Sequence, residues 1–145
     1  MHILEPILFA RTNIHAKNRT LLAAMTNKQS LDDGRLSKDE IHWLVRRAKG
    51  EFGITTTAAA NVTETGRGWE GEMGVWGDHQ LEGLSEMATQ LEDAGTISLV
   101  QLFHGGMRSP VELNGLQPIS SSENNERRQK CLKSFFMLEL YKFVF

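Results

Sequence analysis

Apolar residues in this chain come in short clusters parted by polar, glycine-rich stretches, and the clusters switch between two periods. Arg19–Met25 (RTLLAAM) is a near-continuous apolar run and predicts a strand buried on both faces. A polar loop follows over Thr26–Leu36, with Asp32-Asp33-Gly34 as turn chemistry. Ser37-Lys-Asp-Glu40 then reads as a capping box: the Ser hydroxyl meets a free backbone N–H and Glu40 reaches back to the cap. Ile41, Leu44, Val45 and Ala48 keep helical spacing up to Gly50, a helix stop. Phe52–Ala58 (FGITTTA), rich in β-branched residues, predicts a second strand. After a glycine-rich loop from Asn61 to Gly77, Asp78 is placed to cap a helix. Its apolar face is Leu81, Leu84, Ala88 and Leu91, and Gly95 closes it. Ile97–Leu102 (ISLVQL) predicts a third strand.

The order is therefore β-loop-α-β-loop-α-β. Gly50 and Gly95, each ahead of a strand, are 45 residues apart. Strands alternating with helices define an α/β class with a parallel sheet and right-handed crossovers. The loops after the strands are long and those before them short. That asymmetry marks the carboxyl-end face of the sheet as the functional one, in barrels and open sheets alike.

Composition bounds the function. A chain of 145 residues predicts one domain able to bury roughly 68–70% of its unfolded surface. With 40% hydrophobic and 23% charged residues it reads as soluble and globular. The net charge of −2 supplies no positive field for phosphates, so nucleic acid is not an expected partner. No apolar run approaches the ~18 residues of a spanning helix, and residues 1–10 lack the features of a signal peptide. No membrane partner and a cytoplasmic location are expected. A lone Cys131 excludes an internal disulfide framework.

The averages conceal a seam. Residues 126–145 carry five Lys/Arg against two Asp/Glu, whereas the first 125 carry 11 against 16. The same tail holds five of the eleven aromatics and none of the 13 glycines. Two domains of composition are expected, 1–122 and 123–145. The Phe-rich end reads as an aggregation hazard rather than a membrane anchor, since Glu139 interrupts its apolar run.

Several motifs offer chemistry. Gly66-Arg-Gly-Trp-Glu-Gly71 matches G-x-G-x-x-G, but Ala59–Thr65 separate it from the strand and Glu72–Gly77 from the helix. Pyrophosphate would meet no helix N–H groups there, and Glu70 and Glu72 would repel it, so the glycines read as a shaped loop. The histidines show no metal spacing; His42 and His79 read as solvated. His104, just past the third strand, is either a site residue or a cap on the strand end. The strongest positional signal is small or polar residues at strand ends: Ala23, Ala24, Met25 and Thr26, then Ala58-Ala59-Ala60, then Gln101. Small residues there admit a flat ligand to the backbone, with Thr26 and Gln101 as hydrogen-bonding partners. Packing of alanines in a tight barrel core explains the same pattern.

Taken together, Lys17-Asn-Arg-Thr-Leu-Leu-Ala-Ala-Met-Thr-Asn27, Asp33-Gly34, Arg46-Arg-Ala48 with Phe52-Gly53, Gly66-Arg-Gly68, Gly71 with Trp76-Gly-Asp78, and Val100-Gln-Leu-Phe-His-Gly-Gly-Met-Arg108 resemble the Old Yellow Enzyme family of NADH:flavin oxidoreductases. Order and spacing agree over residues 5–122. The resemblance implies the N-terminal portion, about three βα units, of a TIM (β/α)8 barrel carrying non-covalent FMN at the strands' carboxyl ends. It implies NAD(P)H as reductant, and as substrate a small-molecule enone or other activated alkene, which takes hydride from flavin N5. By the same resemblance Ala23, Ala24, Met25 and Thr26 form the first-strand FMN segment, with Thr26 tuning the flavin at its C4 carbonyl. Ala59 packs on the ring and Gln101 bonds its pyrimidine side.

Two departures matter. Ala24 stands where the family usually has Pro, which keeps a backbone contact and loses rigidity. The family's substrate-binding His pair, its proton-donating Tyr and its Gly/Arg phosphate grip are not found in this sequence, so no catalytic residue is assigned. A full barrel takes about 250 residues. The 145-residue chain is therefore expected neither to hold FMN tightly nor to turn over, and to oligomerise or aggregate through an open parallel edge. The divergent tail reads as translation in another frame or a mis-assigned exon end. A small α/β binding module, or an inert fragment, is the alternative.

Overall fold

The computed structural model describes residues 2–120 and, beyond them, the backbone of two strands at 124–126 and 129–133. An antiparallel hairpin of β1 (Ile7–Phe9) and β2 (Ile14–Ala16) comes first, where the hydrophobic pattern predicts only a lead-in. Next are β3 (Leu21–Leu22), α1 (Lys38–Lys49), β4 (Ile54–Asn61), β5 (Met73–Gly74), α2 (Leu81–Asp93), β6 (Ile97–Phe103), α3 (Val111–Asn114), β7 (Ile119–Ser120), β8 (Asn124–Glu126) and β9 (Gln129–Lys133). Strands β3, β4 and β6 are parallel neighbours with β4 in the middle, each linked to the next through a helix. This is the expected βαβαβ sheet.

Helix α1 forms as its sequence directs. The Ser37 hydroxyl accepts the Glu40 N–H at 3.1 Å, and the Gly50 N–H donates to the carbonyls of Arg46 and Arg47. Ile41, Leu44, Val45 and Ala48 face inward, against Ala60, Met73, Met87 and Leu91. Helix α2 departs from expectation at its start. Asp78 makes no side-chain cap; residues 78–80 form a 3-10 turn in which the buried side chain of Gln80 accepts, on Oε1, the N–H groups of Trp76 (2.9 Å) and Gly77 (3.1 Å). Leu91 of the expected face is buried, with Met87 beside it, and Leu84 packs against the core, whereas the expected core residue Leu81, at the junction with that turn, is 52% exposed.

The strand bounds also shift. The first strand is expected over Arg19–Met25 but covers only Leu21–Leu22. Along β4, β3 pairs at Ile54 and Thr55, whereas β5 pairs at Ala60 and Asn61. Strand β6 holds the other edge of β4, so β5 takes the upper part of the edge that a longer first strand would need. The second strand ends at Asn61, three residues beyond Ala58, and the third at Phe103.

Lys17 anchors the amino end. Its ammonium donates to the carbonyls of Ala48 (3.3 Å) and Ala94 (3.1 Å), where a cation meets the negative ends of both helices. Phe9 and Ile14 of the hairpin line a cavity of about 570 Å³ with Ile54 and Ile97, at the amino ends of β4 and β6. The carboxyl ends lie opposite. Strand β6 has no second neighbour among the described strands, and Leu99 and Leu102 on it are 40% and 38% exposed. The composition seam at 122/123 and the side chains of the tail, Cys131 included, lie outside the described residues.

Candidate functional site

The site is built on the β4–β6 pair. Its register matches Ile54 with Ile97, Thr55 with Ser98 and Thr56 with Leu99, then slips and resumes with Ala59 opposite Gln101. Three steps along β4 are thus matched by two along β6, a β-bulge at residues 57–58. Above it, Ala60 pairs with Leu102, and Ala60 belongs to the core beneath the helices. Ala59 and Gln101, followed by Asn61 and Phe103, therefore share the opposite face, the one a barrel turns inward. Two of the sequence-predicted residues are brought side by side. Ala59 is buried at 6% exposure, while the Gln101 side chain is open.

Ala23, Ala24, Met25 and Thr26 are placed differently from expectation. They lie past β3 in irregular backbone; Ala24 is half-buried and the other three are exposed. Just beyond them the chain is held firmly. Asn27 Nδ2 donates to Glu40 Oε1 at 3.2 Å, and the Ser30 hydroxyl donates to Glu40 Oε2. Glu40 is fully buried, and that burial raises its carboxyl above the ordinary range. Its side chain does not reach back to the helix cap as the capping box predicts, because the loop ahead of the helix claims it. From the other side Gln80 Nε2 donates to the Asp33 carbonyl at 3.1 Å, and the Gly74 N–H donates to the Gly34 carbonyl at 2.9 Å. Gly34 has φ +78, and a Cβ there would sit 2.7 Å from Gln80 Nε2. A larger residue fits neither the backbone nor the space.

The loop after β4 folds over the end of β6. Gly105 N–H donates to the Gly66 carbonyl at 2.7 Å, and Asn114 Nδ2 bonds the carbonyls of Thr65 and Arg67. Trp69 rests on Phe103 with ring centroids 5.0 Å apart. Glycines 66–71 lie in this loop, ahead of β5 rather than a helix. Glu72, 1% exposed, receives the Gly68 N–H on Oε2 at 2.6 Å, and its other oxygen has no partner. Burial outweighs the pull of the Gly68 and Trp69 backbone N–H groups and of the nearby Arg67, pushing this carboxyl up to about 7. His104 Nδ1 accepts the Gly106 N–H at 2.9 Å, which ties the ring to the turn after β6, while its buried Nε2 has no hydrogen-bond partner; burial lowers its pKa. His42 and His79 are exposed.

Gln80, Thr57 and Asn61 are the residues that sequence reasoning missed, and Glu40, which it reads as half of a capping box, holds the loop ahead of the helix instead. The runs Thr55-Thr-Thr57 and Ala58-Ala-Ala60 carry no periodicity that would reveal a bulge. Among the described residues no group of His, Cys, Asp and Glu is placed to hold a metal, and no helix is long and apolar enough to cross a membrane.

The inner face suits a flat, hydrogen-bonding ring. The small Ala59 leaves the backbone accessible, the Gln101 amide stands open beside it, and one step above, buried Asn61 Oδ1 lacks a hydrogen-bond partner. Parallel βα units with helices outside, and small and amide side chains gathered inside at the carboxyl ends, define a barrel-type α/β protein with its ligand face at those ends.

The NADH:flavin oxidoreductase / NADH oxidase family model matches residues 2–142, and the chain belongs to this family. It is 34% identical over 111 residues to the probable NADH-dependent flavin oxidoreductase YqiG of Bacillus subtilis (strain 168), covering 77% of this chain and 29% of the relative. The structure superposes on 2-naphthoyl-CoA reductase with a TM-score of 0.81 at 25% identity, over 90% of this chain and 22% of that one. On the Old Yellow Enzyme homologue of Zymomonas mobilis the TM-score is 0.77 at 25% identity, over 92% and 38%. The fold is the N-terminal portion of a TIM barrel, and the chain spans between about a fifth and two fifths of these relatives' lengths.

Proposed function

We propose that the carboxyl-end face of β4 and β6, with the segment after β3, is the ring-facing part of an FMN site in an NAD(P)H-dependent oxidoreductase acting on activated alkenes. One observation carries the reading: the register sets Ala59 beside Gln101 on the inner face of a sheet whose family is flavin-dependent. Bound FMN would supply hydride transfer from NAD(P)H to a small molecule such as an enone. The chain's own residues bind and orient. The Gln101 amide can both donate and accept on the ring's pyrimidine edge. Ala59 lets the ring approach the strand. Backbone groups of Ala23, Ala24 and Met25, with the Thr26 hydroxyl, would lie along the ring near its C4 carbonyl, where donors favour the reduced, anionic form.

A ring-only site has a measurable signature. In fluorescence-quenching titrations of the 145-residue chain, FMN and riboflavin should bind weakly and within about threefold of each other, because a phosphate contact would add a charge-assisted bond worth tenfold or more. FMN binding more than tenfold tighter than riboflavin would reveal a phosphate grip among these residues; no binding of either would refute the site. The edge of β6 that no described strand pairs, with exposed Leu99 and Leu102, supports self-association as well. Sedimentation velocity should show an average mass that rises with concentration. A single monomer species throughout would rule that out.

A further inference from the structure

We infer that the Thr57 hydroxyl is a positioning residue: it holds the β-bulge at residues 57–58 and thereby sets Ala59 beside Gln101 on the ligand face. As a statement about ligand binding, this rests on the flavin reading above; as a statement about the bulge, it stands without it.

A bulge leaves ladder groups unmatched, and here one side chain meets both needs. Thr57 Oγ1 accepts the Gln101 backbone N–H at 3.3 Å and donates to the Ala58 carbonyl at 2.7 Å. The threonine is fully buried, so no water competes for these bonds. The geometry matters because side chains alternate faces along a strand. If the Thr56–Leu99 register ran on without the slip, Ala58 would stand opposite Gln101 and Ala59 opposite Leu102. Ala59 would then turn toward the helices with Leu102, and the pair that defines the site would be broken. The extra residue is what brings the second strand's alanine into line with the third strand's glutamine, and bulges next to functional sites commonly re-aim a side chain in this way. Valine at position 57 would match the shape and β-propensity of threonine but could hold neither bond.

The test compares Thr57→Val with Thr57→Ser in the full 145-residue chain, with two readouts. Amide hydrogen exchange followed by NMR reports the bulge without any ligand. The Gln101 amide should exchange roughly tenfold or more faster in Thr57→Val and near the wild-type rate in Thr57→Ser, since one buried hydrogen bond is at stake. Flavin titration reports the consequence: affinity for FMN should fall roughly tenfold in Thr57→Val, with a shift of the bound flavin's visible band, and both should return in Thr57→Ser. If Thr57→Val loses its cooperative melt, the wild-type Gln101 amide decides. Protection of roughly tenfold or more over an unstructured amide supports the pin, and unprotected exchange overturns it. Unchanged Gln101 exchange in a folded Thr57→Val variant overturns the inference. Changed exchange with unchanged FMN affinity overturns the positioning role. A wild-type chain that binds no flavin refutes the flavin reading instead, and exchange alone then judges the bulge.

Discussion

Raising the pH from 5 to 8 is expected to cost the fold about 2 to 3 kcal/mol through Glu72 alone, and Glu72→Gln should abolish that loss. The carboxyl is 1% exposed, with one oxygen bonded to the Gly68 N–H and the other unpartnered. Burial lifts it from the ordinary 4.5 to about 7, so the folded protein holds a proton that the unfolded chain has released. The contribution is therefore fully present below about pH 4.5 and is lost as pH rises through about 7. His104 works in the other direction: its lowered pKa means that its protonation at acid pH opposes folding. A comparison of wild type with Glu72→Gln cancels that background. The amide keeps an oxygen for the Gly68 N–H and carries no charge to desolvate. Urea melts at pH 5 and pH 8 measure it. Equal stability differences between the two proteins at both pH values would show that Glu72 is ionised throughout and its site better solvated than its burial indicates.

The second large effect is expected at Glu40. Glu40→Ala removes the acceptor for both Asn27 Nδ2 and the Ser30 hydroxyl, and should destabilise the fold by about 2 kcal/mol, in the range for orphaned buried donors. Glu40→Gln keeps the shape and a carbonyl for Asn27, and its amide can donate to Ser30, so it should lose less than about 1 kcal/mol. The damage should also be local. Residues 27–35 are otherwise held from the far side, by Gln80 on the Asp33 carbonyl and by Ser30 N–H on the Gly71 carbonyl. Proteolysis in 23–31 should accelerate in Glu40→Ala before the rest of the chain becomes susceptible. Uniform sensitivity along the chain would mean that Glu40 acts only through α1.

Legibility differed from element to element for physical reasons. Helix α1 was readable at both ends because Ser37, the apolar spacing and Gly50 each act within a few residues. Strand β6 was readable because a β-branched apolar run after a glycine stop needs no distant partner to identify it. Hairpin β1–β2 escaped notice: three residues a side, with Asn13 at φ +55 in its turn, leave too little pattern. The capping box misled because Glu40 had a stronger claim on it, from groups ten and thirteen residues back in the chain. Residues 23–26 were expected to end a strand, and β5 occupies the edge they would have used.

The sequence by itself determined what local chemistry decides: the alternation of strands and helices, the parallel α/β class, the family, and the identity of the small and amide residues near the strand ends. Only the tertiary structure decided which of these residues meet. Strand extent depends on which neighbour occupies each edge, and a side chain's face depends on register, which one inserted residue reverses. Ala59 and Gln101 are 42 residues apart in the chain and adjacent in the sheet because of a slip at Thr57-Ala58 that no periodicity announces.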